Sequence, residues 1–398
     1  MEQVPFFTID NVPWGWRERA TLFAADPRPE KLDLVAGVLR DESGKHHRFS
    51  VVAECETAAQ PVSGRGYLPP TGYAPFCAAI EEFLFGSMRA RVGARMGTVQ
   101  TLGAAGALRL ASGTVARLGL SSQILLGAES WGDHHRIFEQ AGLTVQRFPY
   151  LNSRSGSVDE AAFSLALDNA PLKSAVLLQV SCHNPTGIDP SEELWKAILE
   201  RISCRGLLPI FDLAYPGFGA GIEADLAPLR AALDRGLDFL VATSCCKLFG
   251  IPAGRVGALT VVTSNAELTE RLTSQIKTEI QGSYSTPPLS CTPMIVAILT
   301  EPNLRKRWEK ELEEVRQLLV RRRQALGRLL HSSSVIQTTN TTQQGMFYWT
   351  GLSREQCESL RRDHAIYLPS NGRLCIGALP SHEISRVAAA IVAVSTPE

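Results

Sequence analysis

Four polar side chains follow short apolar runs, and together they suit chemistry between an amine and a carbonyl. Lys247 comes after DFLVATS and two cysteines, Asp212 ends GLLPIF, and Tyr215 lies about one turn further on. Asn184 belongs to Ser181-Cys182-His183-Asn184-Pro185-Thr186-Gly187, which follows SAVLLQV. Partial burial lowers the pKa of a lysine and frees its amine to attack a carbonyl. A carboxylate can keep a pyridine nitrogen protonated, so that the ring acts as an electron sink for a substrate carbanion. Taken singly, a strand-end lysine often only snorkels to solvent, and an aspartate after a strand often caps the next helix. The combination favours a Schiff-base lysine with a supporting carboxylate, amide and phenol.

The elements that must position these residues are legible as alternating apolar runs and helical patterns. QILLG (123–127), SAVLLQV (174–180), GLLPIF (206–211), DFLVATS (238–244) and GALTVV (257–262) read as buried strands. Such runs predict an α/β fold, a largely parallel sheet with helices on both faces. In open α/β sheets the crevice beyond the carboxyl ends of the strands is where polar residues meet a ligand. From about Asn303 to Leu330 the pattern becomes one long charged helix with Leu, Trp and Val on one stripe, and its arginine run reads as a solvated face. At 398 residues, 44% hydrophobic, the chain can bury a large core. A formal net charge of zero argues against nucleic acid and anionic membranes as partners. No apolar stretch is long enough to span a bilayer and no signal-peptide pattern opens the chain, so a cytoplasmic location is expected. Nine scattered cysteines without CxxC pairing predict neither disulfides nor a metal site.

CHNPTGIDP (182–190), FDLAYPGF (211–218), SCCKLFGIPAGRVGAL (244–259), GRGYLPPTGY (64–73), GMFYWTGLSREQ (345–356) and NGRLCIGALP (371–380) occur over most of the chain. Together they resemble class I, fold-type I pyridoxal-phosphate aminotransferases of the aspartate and aromatic branch. The resemblance implies a large domain, residues 45–313, with a mostly parallel seven-stranded sheet. It also implies a smaller α/β domain built from both termini, 1–44 and 314–398, in a homodimer with shared active sites. Lys247 is then the Schiff-base lysine and proton shuttle, and Asp212 pairs with the pyridinium nitrogen. Asn184 and Tyr215 bond the phenolic oxygen, Trp131 stacks on the ring, and His134 supports the aspartate. Ser244, Arg255 and the Gly103-Ala104-Ala105 turn hold the phosphate, joined by Tyr67 from the neighbouring chain. Arg373 grips the substrate α-carboxylate, and the Gly37 backbone approaches it.

Two departures bear on function. Relatives place a GGTGA-like turn where this chain has Gly103-Ala104-Ala105-Gly106-Ala107, so a phosphate-binding hydroxyl is lost at Ala105. Before YSTPP, where the family's partner-chain arginine binds a distal carboxylate, the chain carries Gln281, with Ser285 in the same contributed segment. A neutral amide cannot replace a bidentate cation there. The implied enzyme is an aminotransferase for an amino acid with a neutral polar, aromatic or cationic side chain, using amino-acid and oxo-acid substrates. Arg17 is the candidate for a substituting cation, and Trp14 and Trp16 could narrow the pocket. The alternative is elimination, replacement, cyclisation or decarboxylation of a single amino acid in a specialised biosynthetic pathway. A regulator that only senses the cofactor would need a DNA-binding module, for which no spare segment is seen.

Overall fold

Residues 15–58, 66–152, 155–289, 291–332 and 342–396 are described in a computed structural model of the chain. In chain order the strands are β1 (Leu32–Asp33), β2 (Met96–Thr101), β3 (Gln123–Gly127), β4 (Thr144–Phe148), β5 (Ala175–Gln179) and β6 (Leu208–Leu213). Then come β7 (Phe239–Ser244), β8 (Gly257–Val262), β9 (Phe347–Trp349), β10 (Ile366–Tyr367) and β11 (Arg373–Cys375). The predicted apolar runs are β3, β5, β6, β7 and β8, and β5, β7 and β8 are buried at every position. Burial on both faces is what a continuous Val/Leu/Ile/Ala run requires of a central strand.

Seven strands form one sheet in the order β2-β8-β7-β6-β5-β3-β4. Only β8 runs against the others. The register sets Gln179 beside Asp212, Asp212 beside Ala242, and Ser244 beside Gly257. The site-bearing strand ends therefore lie level with one another. Two apolar cores pack against the sheet. Two small sheets stand apart from it: β1 pairs with β10 from the other end of the chain, and β9 pairs with β11.

The long helix spans Pro302–Ser332, and its predicted stripe is buried through Trp308, Leu312, Val315, Leu319, Leu326 and Leu330. The indole Nε1 of Trp308 donates to the Leu248 carbonyl (3.2 Å), and its ring stacks on Phe249, so this helix braces the loop after Lys247. The expectation of a wholly solvated arginine run is corrected here. Arg321 is exposed, but Arg322 and Arg323 are buried. Arg322 donates to the Arg40 and Gly377 carbonyls and pairs with Glu42, while Arg323 donates to the Gly345 and Phe347 carbonyls. Five fixed donors let a guanidinium satisfy several loop carbonyls at once, which offsets its desolvation. Among the described residues no helix is long and apolar enough to cross a membrane.

Candidate active site

A cavity of about 510 Å3 opens at the carboxyl ends of β6 and β7. Trp131, Asn184, Asp212, Tyr215, Ser244, Lys247, Arg255, Ala104, Ala105, Gly37 and Arg373 all line it, so the structure gathers most of the residues singled out in the sequence. A second cavity, about 390 Å3, lies beside the amino ends of β6 and β7 with mostly apolar walls, and none of those residues lines it.

Lys247 follows β7 through a short buried segment, and its Nζ donates to the Gly37 carbonyl. Burial pushes the lysine pKa below its ordinary value. Gly37 is therefore in direct contact with the amine, and the arginine takes the carbonyl two residues earlier. Arg373 donates from Nη1 to Asn184 Oδ1 (2.9 Å) and from Nη2 to the Val35 carbonyl, with its guanidinium over the Phe347 ring. Burial lowers its pKa too, although a guanidinium stays charged at any working pH. Tyr215 is buried against the edge of Phe347, and desolvation raises its phenol pKa.

Asp212, next to last in β6, has its Oδ2 3.2 Å from Nε2 of His134, whose Nδ1 is 2.8 Å from Ser130 Oγ. The approach falls short of hydrogen-bond alignment, and both His134 Nε2 and Asp212 Oδ1 are buried without a partner. An orphaned buried carboxylate oxygen is costly unless a ligand donates to it. It fits the protonated ring nitrogen of pyridoxal phosphate. Trp131 precedes the helix Gly132–Gln140 and meets His134 edge to face.

At the other end of the cavity, the helix Gly103–Arg117 begins with no side-chain cap, leaving first-turn amides available to an anion. Arg255, at φ 47°, points its guanidinium at this turn. Its hydrogen bonds are long: 3.4 Å to Cys246 Sγ, 3.3 Å to the Pro252 carbonyl and 3.5 Å to the Leu102 carbonyl. The approach depends on two glycines. A Cβ on Gly103 would lie 2.9 Å from Arg255 Nη2, and one on Gly257 would lie 2.4 Å from the Thr243 carbonyl oxygen. An unmatched cation facing uncapped amides suits a phosphate.

Tyr67 is 97% exposed, and Gln281 and Ser285, at the end of the helix Ala266–Tyr284, are exposed as well. None of the three lines the cavity of its own chain. Trp14 lies outside the described residues, as do the side chains of Trp16 and Arg17. Ala20, one turn beyond Arg17 on the helix Gly15–Ala25, lines the cavity. Sequence reasoning missed Asp33, Asp133, Cys246 and Phe347, which also line it. Asp133 stands between Trp131 and His134, and Cys246 directly before Lys247, so their neighbours were the signal.

Residues 29–391 match the family model described as aminotransferase class I and II. The chain is 36% identical to an aspartate aminotransferase of Pseudomonas aeruginosa over 94% of each chain. It is 35% identical to an aromatic-amino-acid aminotransferase of Escherichia coli, over 94% of this chain and 95% of that protein. An aromatic amino acid aminotransferase structure from Burkholderia cenocepacia superposes with a TM-score of 0.92 at 37% identity, covering 98% of both chains. One from Burkholderia pseudomallei, covalently bound to pyridoxal phosphate, also gives 0.92, at 33% identity and full coverage. Joined to an orphaned aspartate, a buried strand-end lysine and an anion-ready helix start, these likenesses place the chain in the pyridoxal-phosphate-dependent class I and II aminotransferases, in their aspartate and aromatic branch.

Proposed function

We propose that this aminotransferase acts on an amino acid without a distal carboxylate, and that its site residues take the roles the family resemblance implies. Charge inventory carries the substrate reading. Among the described residues, the cations lining the cavity are Lys247, Arg255 and Arg373. The amine, the phosphate and the α-carboxylate occupy all three, which leaves none of these cations for a second substrate carboxylate, and position 281 is a neutral amide.

Bound pyridoxal phosphate supplies an aldehyde carbon and a pyridinium ring that withdraws electrons from the substrate Cα. Asp212 holds the proton on the ring nitrogen, kept in place by His134. Trp131 covers the ring face, and Asn184 and Tyr215 hydrogen-bond the phenolic oxygen. Ser244, Arg255 and the amides of residues 103–105 bind the phosphate. Arg373 holds the α-carboxylate, so the Cα hydrogen faces Lys247. Lys247 Nζ, made less basic by burial, takes that proton and returns it on the cofactor side. The chain works as a homodimer in the cytoplasm, with Tyr67, Gln281 and Ser285 completing the partner's cavity. Residues 45–313 form the large domain, and 1–44 with 314–398 the small one.

The test is a half reaction. Purified enzyme mixed with single amino acids, without oxo acid, should release one oxo acid per site from neutral, aromatic or cationic amino acids and little from aspartate or glutamate. Multiple turnovers without an acceptor would indicate elimination, cyclisation or decarboxylation instead. Lys247→Ala should abolish turnover. Gln281→Arg should raise activity on glutamate; a wild type that already prefers glutamate would sink the substrate reading.

A further inference from the structure

We infer that the substrate side chain is cationic, a guanidinium or ammonium group bound by Asp33 and Asp133. The inference rests on the transamination reading above and narrows it.

Among the described residues three carboxylates line the cavity: Asp33, Asp133 and Asp212. Asp212, with its buried unpartnered Oδ1, is matched by a protonated ring nitrogen. The other two have no task in the chemistry. Asp33 closes β1, and its Oδ1 accepts the Val35 amide (2.9 Å), which fixes the side chain. Among the described residues no cationic side chain hydrogen-bonds to it. Asp133 lies in the first turn of Gly132–Gln140, 3.4 Å from Arg136. That pair is 58% and 32% exposed at Arg136 and Asp133, and an exposed i,i+3 pair at this distance holds a carboxylate only weakly.

The charges of the loaded site decide the matter. With the phosphate on Arg255 and the α-carboxylate on Arg373, the cations of the cavity are matched, and Asp33 and Asp133 are left facing the substrate. A substrate carboxylate would meet two like charges and, among the described residues, no unmatched cation. A neutral side chain would leave Asp133 with only its weak Arg136 pair, and Asp33 with only the Val35 amide and the nearby Arg373. A guanidinium or ammonium would donate charge-assisted hydrogen bonds to either one. Position 281 fits this reading, since an amide oxygen accepts from a cation where an arginine would repel it.

Asp33 also lies close enough to Arg373 to favour its charged form, so its effect on the α-carboxylate clamp must be separated from side-chain recognition. L-Arginine and L-citrulline have the same shape and differ in guanidinium against urea, so the ratio of their kcat/KM reads charge recognition alone. A damaged clamp, fold or cofactor site lowers both substrates together. Wild type should favour arginine by at least tenfold. Asp33→Asn, Asp133→Asn or the double variant should cut that ratio by roughly tenfold to a hundredfold, the scale of a lost hydrogen bond to a charged group. A wild-type ratio near one, or a ratio unchanged in all three variants, overturns the inference. If citrulline and phenylalanine release oxo acid as readily as arginine, transamination stands and the cationic preference falls. If no amino acid releases oxo acid, transamination falls, and calorimetric binding of arginine against citrulline to cofactor-loaded Lys247→Ala decides the charge question independently.

Discussion

A hydroxyl absent at Ala105 leaves the proposed phosphate end of the cavity to backbone amides, Ser244, and an Arg255 whose own hydrogen bonds are 3.3 Å or longer. Restoring the hydroxyl should therefore strengthen cofactor binding. Ala105→Thr is expected to lower the Kd for pyridoxal phosphate about tenfold to a hundredfold, the value of one added hydrogen bond to a charged group. Equilibrium dialysis of the apoenzyme measures it, and an unchanged Kd would mean the phosphate oxygens are already saturated. At this scale the sequence is most informative where a residue type conflicts with its setting. Lys247, Asp212 and Asn184 follow apolar runs, so their polarity demanded a purpose. Asp33 and Asp133 gave no such conflict. An aspartate beside a short strand or in a first helical turn is ordinary, and only the closed cavity reveals what they face.

Between strand and helix, one buried carboxyl organises the turn after Tyr215. Asp225 accepts the amides of Gly217 (2.8 Å), Gly219 (3.0 Å) and Ala220 (2.8 Å), yet burial outweighs them and raises its pKa from 3.8 to about 6. A folded-state pKa above the unfolded value adds stability that is full below about pH 4 and lost as pH rises through about 6. Urea unfolding of wild type and Asp225→Asn across pH 4 to 7 should show their stability difference shrinking by about 3 kcal/mol at the upper end. A difference that stays constant with pH would mean Asp225 ionises normally. Element recognition followed burial. The apolar runs of β3, β5, β6, β7 and β8 could be read directly. β2 (MGTVQT) and β4 (TVQRF) could not, because one carries buried threonine and glutamine and the other is a partly exposed edge strand. The burial of Arg322 and Arg323 escaped for a related reason: composition does not reveal carbonyls that distant loops will present.

The assembled molecule is proposed to need two copies of the chain for each site. Tyr67 and Gln281 face solvent in a single chain and should complete the partner's cavity. Hybrid dimers test this. With one Lys247→Ala subunit and one Tyr67→Ala subunit, one cavity collects both defects and the other collects neither. The hybrid should then regain about half the wild-type activity per dimer, against near zero for Lys247→Ala and a reduced rate for Tyr67→Ala homodimers. Recovery no better than Tyr67→Ala alone would place Tyr67 in its own chain's site.

The pairing of β1 with β10, and of Arg373 with the Val35 carbonyl, joins opposite ends of the chain beside the Lys247 amine. A ribosome delivers these parts at very different times. The segments proposed to hold the cofactor, from Gly103 to Arg255, emerge long before Arg373; the Gly37 carbonyl meets Lys247 with them, while Val35 waits for a partner not yet made. A nascent or truncated chain ending before β11 has the residues proposed to hold pyridoxal phosphate, but it lacks Arg373, the proposed clamp that orients an amino acid over it.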